Sequence, residues 1–489
     1  MGQSSFVIGG NNGAGISQLG GMSNRHGLIA GATGTGKTVT LQILAEGFSR
    51  MGVPVFAADI KGDLSGLAAA NSGSDFSSRL DAIGISDYSP SACPTLFWDL
   101  MGDKGHPVRT TISEMGPLLL AALLELNETQ EGILYAAFRI ADEEGMLMLD
   151  IKDLRAMLNW MSDNAKALRS DYGNISSQSV GAIQRRLMVL DEQGGDRFFG
   201  EPALQLHDLM QVDFSGNGVI SLLDSSRLIA QSPRLYTAFL LWILSELFEQ
   251  LPEQGDSEIP RMVFFFDEAH LLFEQASKPL LEKIEQVVRL IRSKGVGIYF
   301  ITQSPGDIPE DVLGQLGLKI QHALRAFTPK DRKTIKAVAE NFRASPGLDV
   351  AQTLTELGIG EALVSVLDTK GVPTPVARAL IRPPQSRIGP LKATERQQRI
   401  DRSPVGGRYQ EMIDRQSAYE ILKQRAEQKA VTEAAESQRA TEEKAQRRSS
   451  GSRRQSVGEA MMKSVARTVG SQIARRIVRG ILGSIFGGR

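Results

Sequence analysis

The stretch GATGTGKT, residues 31–38, constrains this chain more than any other. It fits the pattern G-x-x-x-x-G-K-[ST] without a mismatch. HGLIAG (26–31) runs into it as a short buried strand. KTVTLQILAEGFSR follows as a helix, with Val39, Leu41, Ile43, Leu44 and Phe48 at its apolar positions. VPVFAADI (53–60) is a second strand. Strand, loop, helix and strand make a βαβ unit, which implies a parallel sheet. A nucleoside triphosphate carries dense negative charge, and successive backbone N–H groups at a helix N-terminus bind such charge. Gly31, Gly34, Thr35 and Gly36 are therefore expected in the phosphate cradle, with Gly34 and Gly36 letting the backbone curl close. Lys37 is expected to reach the β- and γ-phosphates, and Thr38 to offer its hydroxyl to Mg²⁺. ATP and Mg²⁺ are the expected ligands.

RMVFFFDEAH (261–270) places five consecutive apolar residues ahead of two carboxylates. A central parallel strand buried on both faces reads this way. Asp267 suits the Mg²⁺ water shell, and Glu268 suits the attacking water of phosphoryl transfer. His270 either senses the γ-phosphate or packs.

The letters DEAH also name a class of helicases. Those enzymes carry two RecA-like domains, a Q-R-x-G-R-x-G-R-like motif in the second, and Ser-Ala-Thr shortly after the acid box. Neither string is present in the corresponding region. Lys37 and Asp267 also lie 230 positions apart, more than a compact lobe of that class needs.

The segment VVRLIRSKGVGIYFITQSPGDIP (287–309) follows instead: a helix bearing Arg289 and Arg292, then a strand ending in Thr302-Gln303-Ser304-Pro305. With DIKGDLSG (59–66) and HALRAFTPKDRKTIKAV (322–338), it resembles the HerA–FtsK superfamily of ring-forming P-loop ATPases that pump DNA. Within that superfamily, the HerA-like helicases and their bacterial YjgR-like subfamily are the nearest in motif. The resemblance covers roughly residues 6–390. It implies a single RecA-like core with ATP held between neighbouring subunits of a hexameric ring. It implies that Gln303 contacts the γ-phosphate or its attacking water, and that an arginine acts in trans on the γ-phosphate. Arg292 and Arg325 are the two candidates, Arg325 being expected on a strand over 318–327. HerA proper has a β-barrel ahead of its phosphate loop. Only 30 residues precede the loop here, so a core without that barrel, or a partner docked on it, is expected.

The expected fold is α/β: a RecA-like P-loop core with a mostly parallel central sheet, a helical insertion and a helical C-terminal tail. Residues 1–106 are the first part of the core. Residues 107–210, rich in Leu, Ala, Met and Glu at helical spacing, are the insertion. Residues 211–390 complete the core and end in a hairpin over 361–380. Residues 391–458 read as a charged linker, helical or disordered.

Residues 459–489 read as a basic amphipathic helix. Met462, Val465, Val469, Ile473, Ile477, Ile481 and Ile485 gather near one face, and Arg467, Arg475, Arg476 and Arg479 lie mostly elsewhere. That helix suits an anionic membrane surface, or another subunit met through Ala466, Gly470 and Ala474.

Charge is divided along the chain. Residues 1–390 hold 34 Lys and Arg against 45 Asp and Glu, and residues 391–489 hold 21 against 11. An acidic body is not the uniform basic surface of a nucleic-acid binder. A ring can still line its channel with KGD (61–63) or IQRRL (183–187) while its outside stays acidic. Two functions stay open. One is a motor on double-stranded DNA. The other is a non-motor ATPase switch or assembly factor whose protein or membrane partner is reached through the tail. The lone Cys93 excludes an internal disulfide and reads as a packing residue. That suits a reducing cytosol, where the chain is expected either free or peripheral to the membrane.

Overall fold

The computed structural model describes residues 4–73, 75–255, 257–274 and 278–449. The basic helix expected over 459–489 lies outside the described residues. The chain forms two compact units. One comprises the residues up to Thr110 together with Pro202–Met412, and the other comprises Thr111–Glu201 together with the chain from Ile413.

The first unit is built on a twelve-stranded sheet. In chain order its strands are β1 (Ser5–Asn11), β2 (Ala14–Leu19), β3 (Gly27–Ala30), β4 (Val55–Asp59), β5 (Thr95–Asp99) and β6 (His106–Pro107). They continue as β7 (Ile220–Asp224), β8 (Met262–Phe266), β9 (Val296–Thr302), β10 (Leu318–His322), β11 (Glu361–Ser365) and β12 (Ala377–Ile381). Their spatial order is β2-β1-β12-β11-β10-β3-β9-β8-β4-β7-β5-β6. From β10 through β6 every neighbouring pair is parallel. From β10 out to β2 every pair is antiparallel. The sheet is thus mostly parallel, as the βαβ pattern predicts.

Every residue of β3, β4, β7, β8 and β9 is buried, which is why these strands read as largely apolar runs. Helix Lys37–Arg50 covers one face. Its Phe48 meets Phe265 of β8 and Tyr299 of β9, with ring centroids 6.2 Å and 5.4 Å away. The same helix is pinned by buried Glu46, whose carboxylate accepts from the backbone N–H groups of Gln385 (3.0 Å) and Ser386 (2.8 Å). The hairpin after 361 is present as β11 and β12. β10 is shorter than expected and ends at His322. Ala323 and Leu324 are still buried, but the Leu324 N–H turns away to the carbonyl of Leu354, 3.0 Å off.

The second unit is helical. Ile112–Leu123, Glu128–Glu143 and Ile151–Asp163 each begin with a reciprocal capping box: Thr111 with Glu114, Asn127 with Gln130, and Asp150 with Asp153. Ala165–Tyr172 and Ser177–Leu190 follow. The 32-residue helix Ala418–Ser449 belongs to this unit too. Ala418 and Leu422 are buried, and the buried Asp153 carboxylate accepts from the Ser417 hydroxyl (2.5 Å) and the Tyr419 N–H (2.9 Å).

One boundary needs correction. The globular part does not stop at 390. Residues 391–412 pack within the sheet unit, where Arg396 pairs with buried Asp224 at 2.9 Å and stacks on Phe97. Tyr409 is 0% exposed and meets Trp98 edge-on at 5.3 Å. Its hydroxyl donates to Asp208 (2.5 Å) and accepts from the N–H of Gln205 (3.1 Å). A few such anchors hold a segment whose overall composition is that of a solvated arm.

Tyr409→Ala is expected to destabilise the sheet unit by about 3–5 kcal/mol, as for a buried aromatic truncated to Ala. Ending the chain after Pro390 is expected to destabilise it further. Urea unfolding followed through tryptophan fluorescence would check both, since Trp98 loses its cover in each.

Candidate active site

Strand register creates the site. Ala30 is level with Thr302 on β9 and Gln321 on β10. Phe266 is level with Phe300 on β9 and Ala58 on β4, and Asp59 with Asp224 on β7. Because these strands are parallel, the residues just beyond them leave the sheet along one edge. Gly31, Asp267, Glu268, Gln303 and the loop after Asp59 all emerge there.

The phosphate loop closes on its own lysine. Lys37 Nζ donates to the carbonyls of Gly31 (2.6 Å) and Ala32 (3.1 Å). Thr35 Oγ1 donates to Ala32 O at 2.7 Å, and the Gly360 N–H donates to Thr35 O at 3.0 Å. Gly36, the N-cap of Lys37–Arg50, has φ of 114°, a conformation that disfavours any side chain. A Cβ on Gly31 would lie 2.5 Å from that of His322. Buried His322 is in turn held between Thr40 Oγ1 (2.8 Å) and Glu361 O (2.9 Å), directly under the loop. Burial lowers the Lys37 pKa and the nearby Lys61 charge lowers it again, with Glu268 and Asp267 opposing.

Asp267 and Glu268 sit opposite this loop. Burial lifts Asp267 to about 6, against the pull of Lys61. Its Oδ1 accepts from the Glu268 N–H at 3.0 Å. Glu268 holds φ of 47°, a left-handed conformation that costs a non-glycine residue roughly 1–3 kcal/mol. Its Oε1 lies 2.8 Å from Lys61 Nζ, and its Oε2 lies 3.5 Å from His270 Nδ1. Burial works to raise the Glu268 pKa, but the Lys61 hydrogen bond and charge lead the opposing influences and the balance is a lowered value.

The loop after β4, singled out in the sequence only as DIKGDLSG and as possible channel lining, supplies further residues to the site. Asp59 braces it, accepting from the N–H groups of Gly62 (2.7 Å) and Leu64 (3.1 Å). Burial, with the Asp63 charge second, lifts Asp59 to about 7. Lys61 takes Glu268, and Asp63 lies beside the Thr38 side chain. Burial raises the Asp63 pKa, with Lys61 the leading opposition. The available signal was the pattern itself: VFAAD followed by Lys-Gly-Asp repeats the apolar-strand-then-charge form of FFFDE.

The other expected residues divide. Gln303 is exposed at the end of β9, beside the phosphate loop. Arg325 is exposed too, on the same edge, three residues past β10 rather than on it. Arg292 lies at the start of a short 3₁₀ turn ahead of β9. That is the opposite edge, a strand length of roughly 20 Å away. The structure does not bring Arg292 to this chain's own phosphate loop.

Mg²⁺ prefers oxygen donors and keeps much of its water. Thr38, Asp63 and Asp267 gather hydroxyl and carboxylate oxygens near Lys37, and the buried Oδ1 of Asp63 accepts no hydrogen bond. Among the described residues no group of three or more His, Cys, Asp or Glu could cage a metal ion unaided. These residues fit an ion held largely by nucleotide phosphates and water. Buried Cys93 stands apart, its thiol pushed up to about 12 by burial first. Among the described residues no helix is long and apolar enough to cross a membrane.

The family described as helicase HerA-like C-terminal matches residues 5–489. The DNA double-strand break repair helicase HerA of Sulfolobus acidocaldarius is 24% identical over 351 residues, covering 70% of this chain and 62% of that protein. HerA of Pyrococcus furiosus is 23% identical over 372 residues, covering 70% and 63%. The chain thus spans about three fifths of the length of these curated relatives. Among solved structures, the plasmid coupling protein TrwB bound to a non-hydrolysable GTP analogue aligns with a TM-score of 0.53 at 14% identity. That alignment covers 80% of this chain and 92% of TrwB, a likeness of fold. With a family match across nearly its whole length and the phosphate loop and acid pair on one sheet edge, the chain belongs to the HerA-like helicase C-terminal family.

Proposed function

We propose that this chain is a Mg²⁺-dependent ATP hydrolase that works as a ring-forming motor on double-stranded DNA. One observation carries the reading: Lys37, Thr38, Asp267, Glu268 and Gln303 converge on a single edge of the sheet. The names of the relatives, DNA repair helicases, support the DNA part. The TrwB fold, solved with a GTP analogue, supports a nucleoside triphosphate as the ligand.

In this reading the N–H groups at the start of Lys37–Arg50 take the β-phosphate. Lys37 exchanges the Gly31 and Ala32 carbonyls for phosphate oxygens. Thr38 and Asp267 would hold a bound Mg²⁺, which would supply neutralisation of phosphate charge. Glu268 polarises the attacking water and Gln303 orients it. Such positioning, rather than covalent chemistry, is what phosphoryl transfer asks of a protein. Arg325 is the arginine best placed to act on a neighbouring subunit's γ-phosphate, because it is exposed on the nucleotide edge. Arg292, on the far edge, serves that role only if a neighbour's site faces it.

Hydrolysis by the purified full chain, with and without duplex DNA across a salt series, tests the motor. Stimulation by DNA that fades with added salt is expected, since phosphate contacts release counterions. Activity indifferent to DNA would sink the motor reading and favour an ATPase switch working on a protein or membrane partner through the tail. Glu268→Gln is expected to lower kcat by about 10²- to 10⁴-fold while ATP still binds. Lys37→Ala is expected to lose binding and turnover together.

Arg325→Ala is expected to lower kcat by about 10³-fold or more. Mixing it with Lys37→Ala should then recover activity, because a subunit of the second variant lends its Arg325 to an intact phosphate loop of the first. Two inactive variants that stay inactive when mixed would exclude a shared site built on Arg325.

A further inference from the structure

Lys61 lies outside the phosphate loop, yet it occupies the site's most reactive carboxylate. Its Nζ is 2.8 Å from Glu268 Oε1. The other Glu268 oxygen is buried and accepts no hydrogen bond. With one oxygen covered by Lys61 and the other turned inward beside His270, Glu268 is not free to face a water. The Lys61 side chain is 42% exposed, so solvent screens the pair and holds it weakly.

The backbone that carries Lys61 is held, so what can exchange partners is its half-exposed side chain. Asp59 anchors its base through the Gly62 and Leu64 N–H groups. Gly62 has φ of 76°, and the space where its Cβ would sit is empty to 4 Å. The Lys61 charge is felt at Lys37, and Glu268 and Asp267 act on both lysines. A γ-phosphate reached by Lys37 therefore arrives within the reach of Lys61. It brings more negative charge than the single carboxylate that Lys61 now holds, and offers a charge-assisted bond like the one it replaces.

We infer that Lys61 is a second γ-phosphate-binding lysine, stored on Glu268 and exchanged onto the terminal phosphate when ATP enters, which frees Glu268 for the attacking water. The inference rests on the hydrolase reading above for the role of Glu268. ADP offers no γ-phosphate, so it leaves Lys61 where it is. The residue thus sets the preference for triphosphate over diphosphate.

The test is calorimetric titration of the full chain with Mg²⁺ and either the β,γ-imido analogue of ATP or ADP. Lys61→Met, which keeps the length and removes the charge, should weaken the analogue by about tenfold or more, with ADP held within about twofold. Lys61→Arg should keep most of the preference. Circular dichroism melting would establish that both variants fold. A Met variant whose ratio of affinities matches wild type, or that loses both ligands equally, overturns the proposal. Binding needs no turnover, so the two readings fail separately. A wild-type chain that binds ATP without hydrolysing it overturns the hydrolase reading. An unchanged ratio in a hydrolysing enzyme overturns this one alone.

Discussion

The parallel register of β4, β8, β9 and β3 is the constraint on which the rest of the molecule depends. A triphosphate demands donors, a lysine, a hydroxyl and carboxylates at one point, and no single helix or loop of this chain carries them all. Parallel strands end on the same side, so each can deliver one contribution there. Residues 59, 267 and 303 are far apart in the chain and meet only because Phe266 is level with both Ala58 and Phe300. A slip of one residue would turn Asp267 toward the other face of the sheet. The aromatic packing of Phe48 on Phe265 and Tyr299 is thus also a device for alignment.

The same convergence creates an electrostatic difficulty, and the chain answers it internally. Asp59, Asp63, Asp267 and Glu268 crowd an edge where burial disfavours ionised carboxylates. Lys37 and Lys61 are the nearby cations, and both are engaged: one with loop carbonyls, the other with Glu268. Unpaired buried charge is costly, so a site made for a highly charged ligand has to compensate itself before the ligand comes. Burial, with neighbouring carboxylates adding to it, still holds Asp59 and Asp267 above the ordinary range, so that compensation is incomplete.

How much of this the sequence discloses depends on how local each signal is. Lys37, Thr38, Asp267 and Glu268 sit in contiguous motifs, and β3, β4, β7, β8 and β9 are largely apolar runs, so both are legible. β1 is not, because Gly9 and Gly10 lie against the backbones of neighbouring strands and give it no strand-like periodicity. β5 is short and follows a Pro- and Ser-rich stretch. Lys61 is visible in DIKGDLSG, but its pairing is not, because its partner Glu268 lies more than two hundred positions away. Residues 391–412 escaped because composition averages over many charged positions, while Tyr409 and Arg396 act singly.

The helical unit is assembled from two pieces of chain that are separated by most of the sheet unit. Asp153, buried within it, completes its hydrogen bonding only with Ser417 and Tyr419, 264 and 266 positions later. A ribosome adding roughly 5–20 residues per second delivers those partners only after about 13–53 seconds more of synthesis. During that interval Thr111–Glu201 is a set of capped helices around a carboxylate still lacking part of its partners. The sheet unit waits almost as long, until Tyr409 emerges. Order of synthesis therefore leaves both units incomplete until residues 409–419 emerge, within about 0.5–2 seconds of one another.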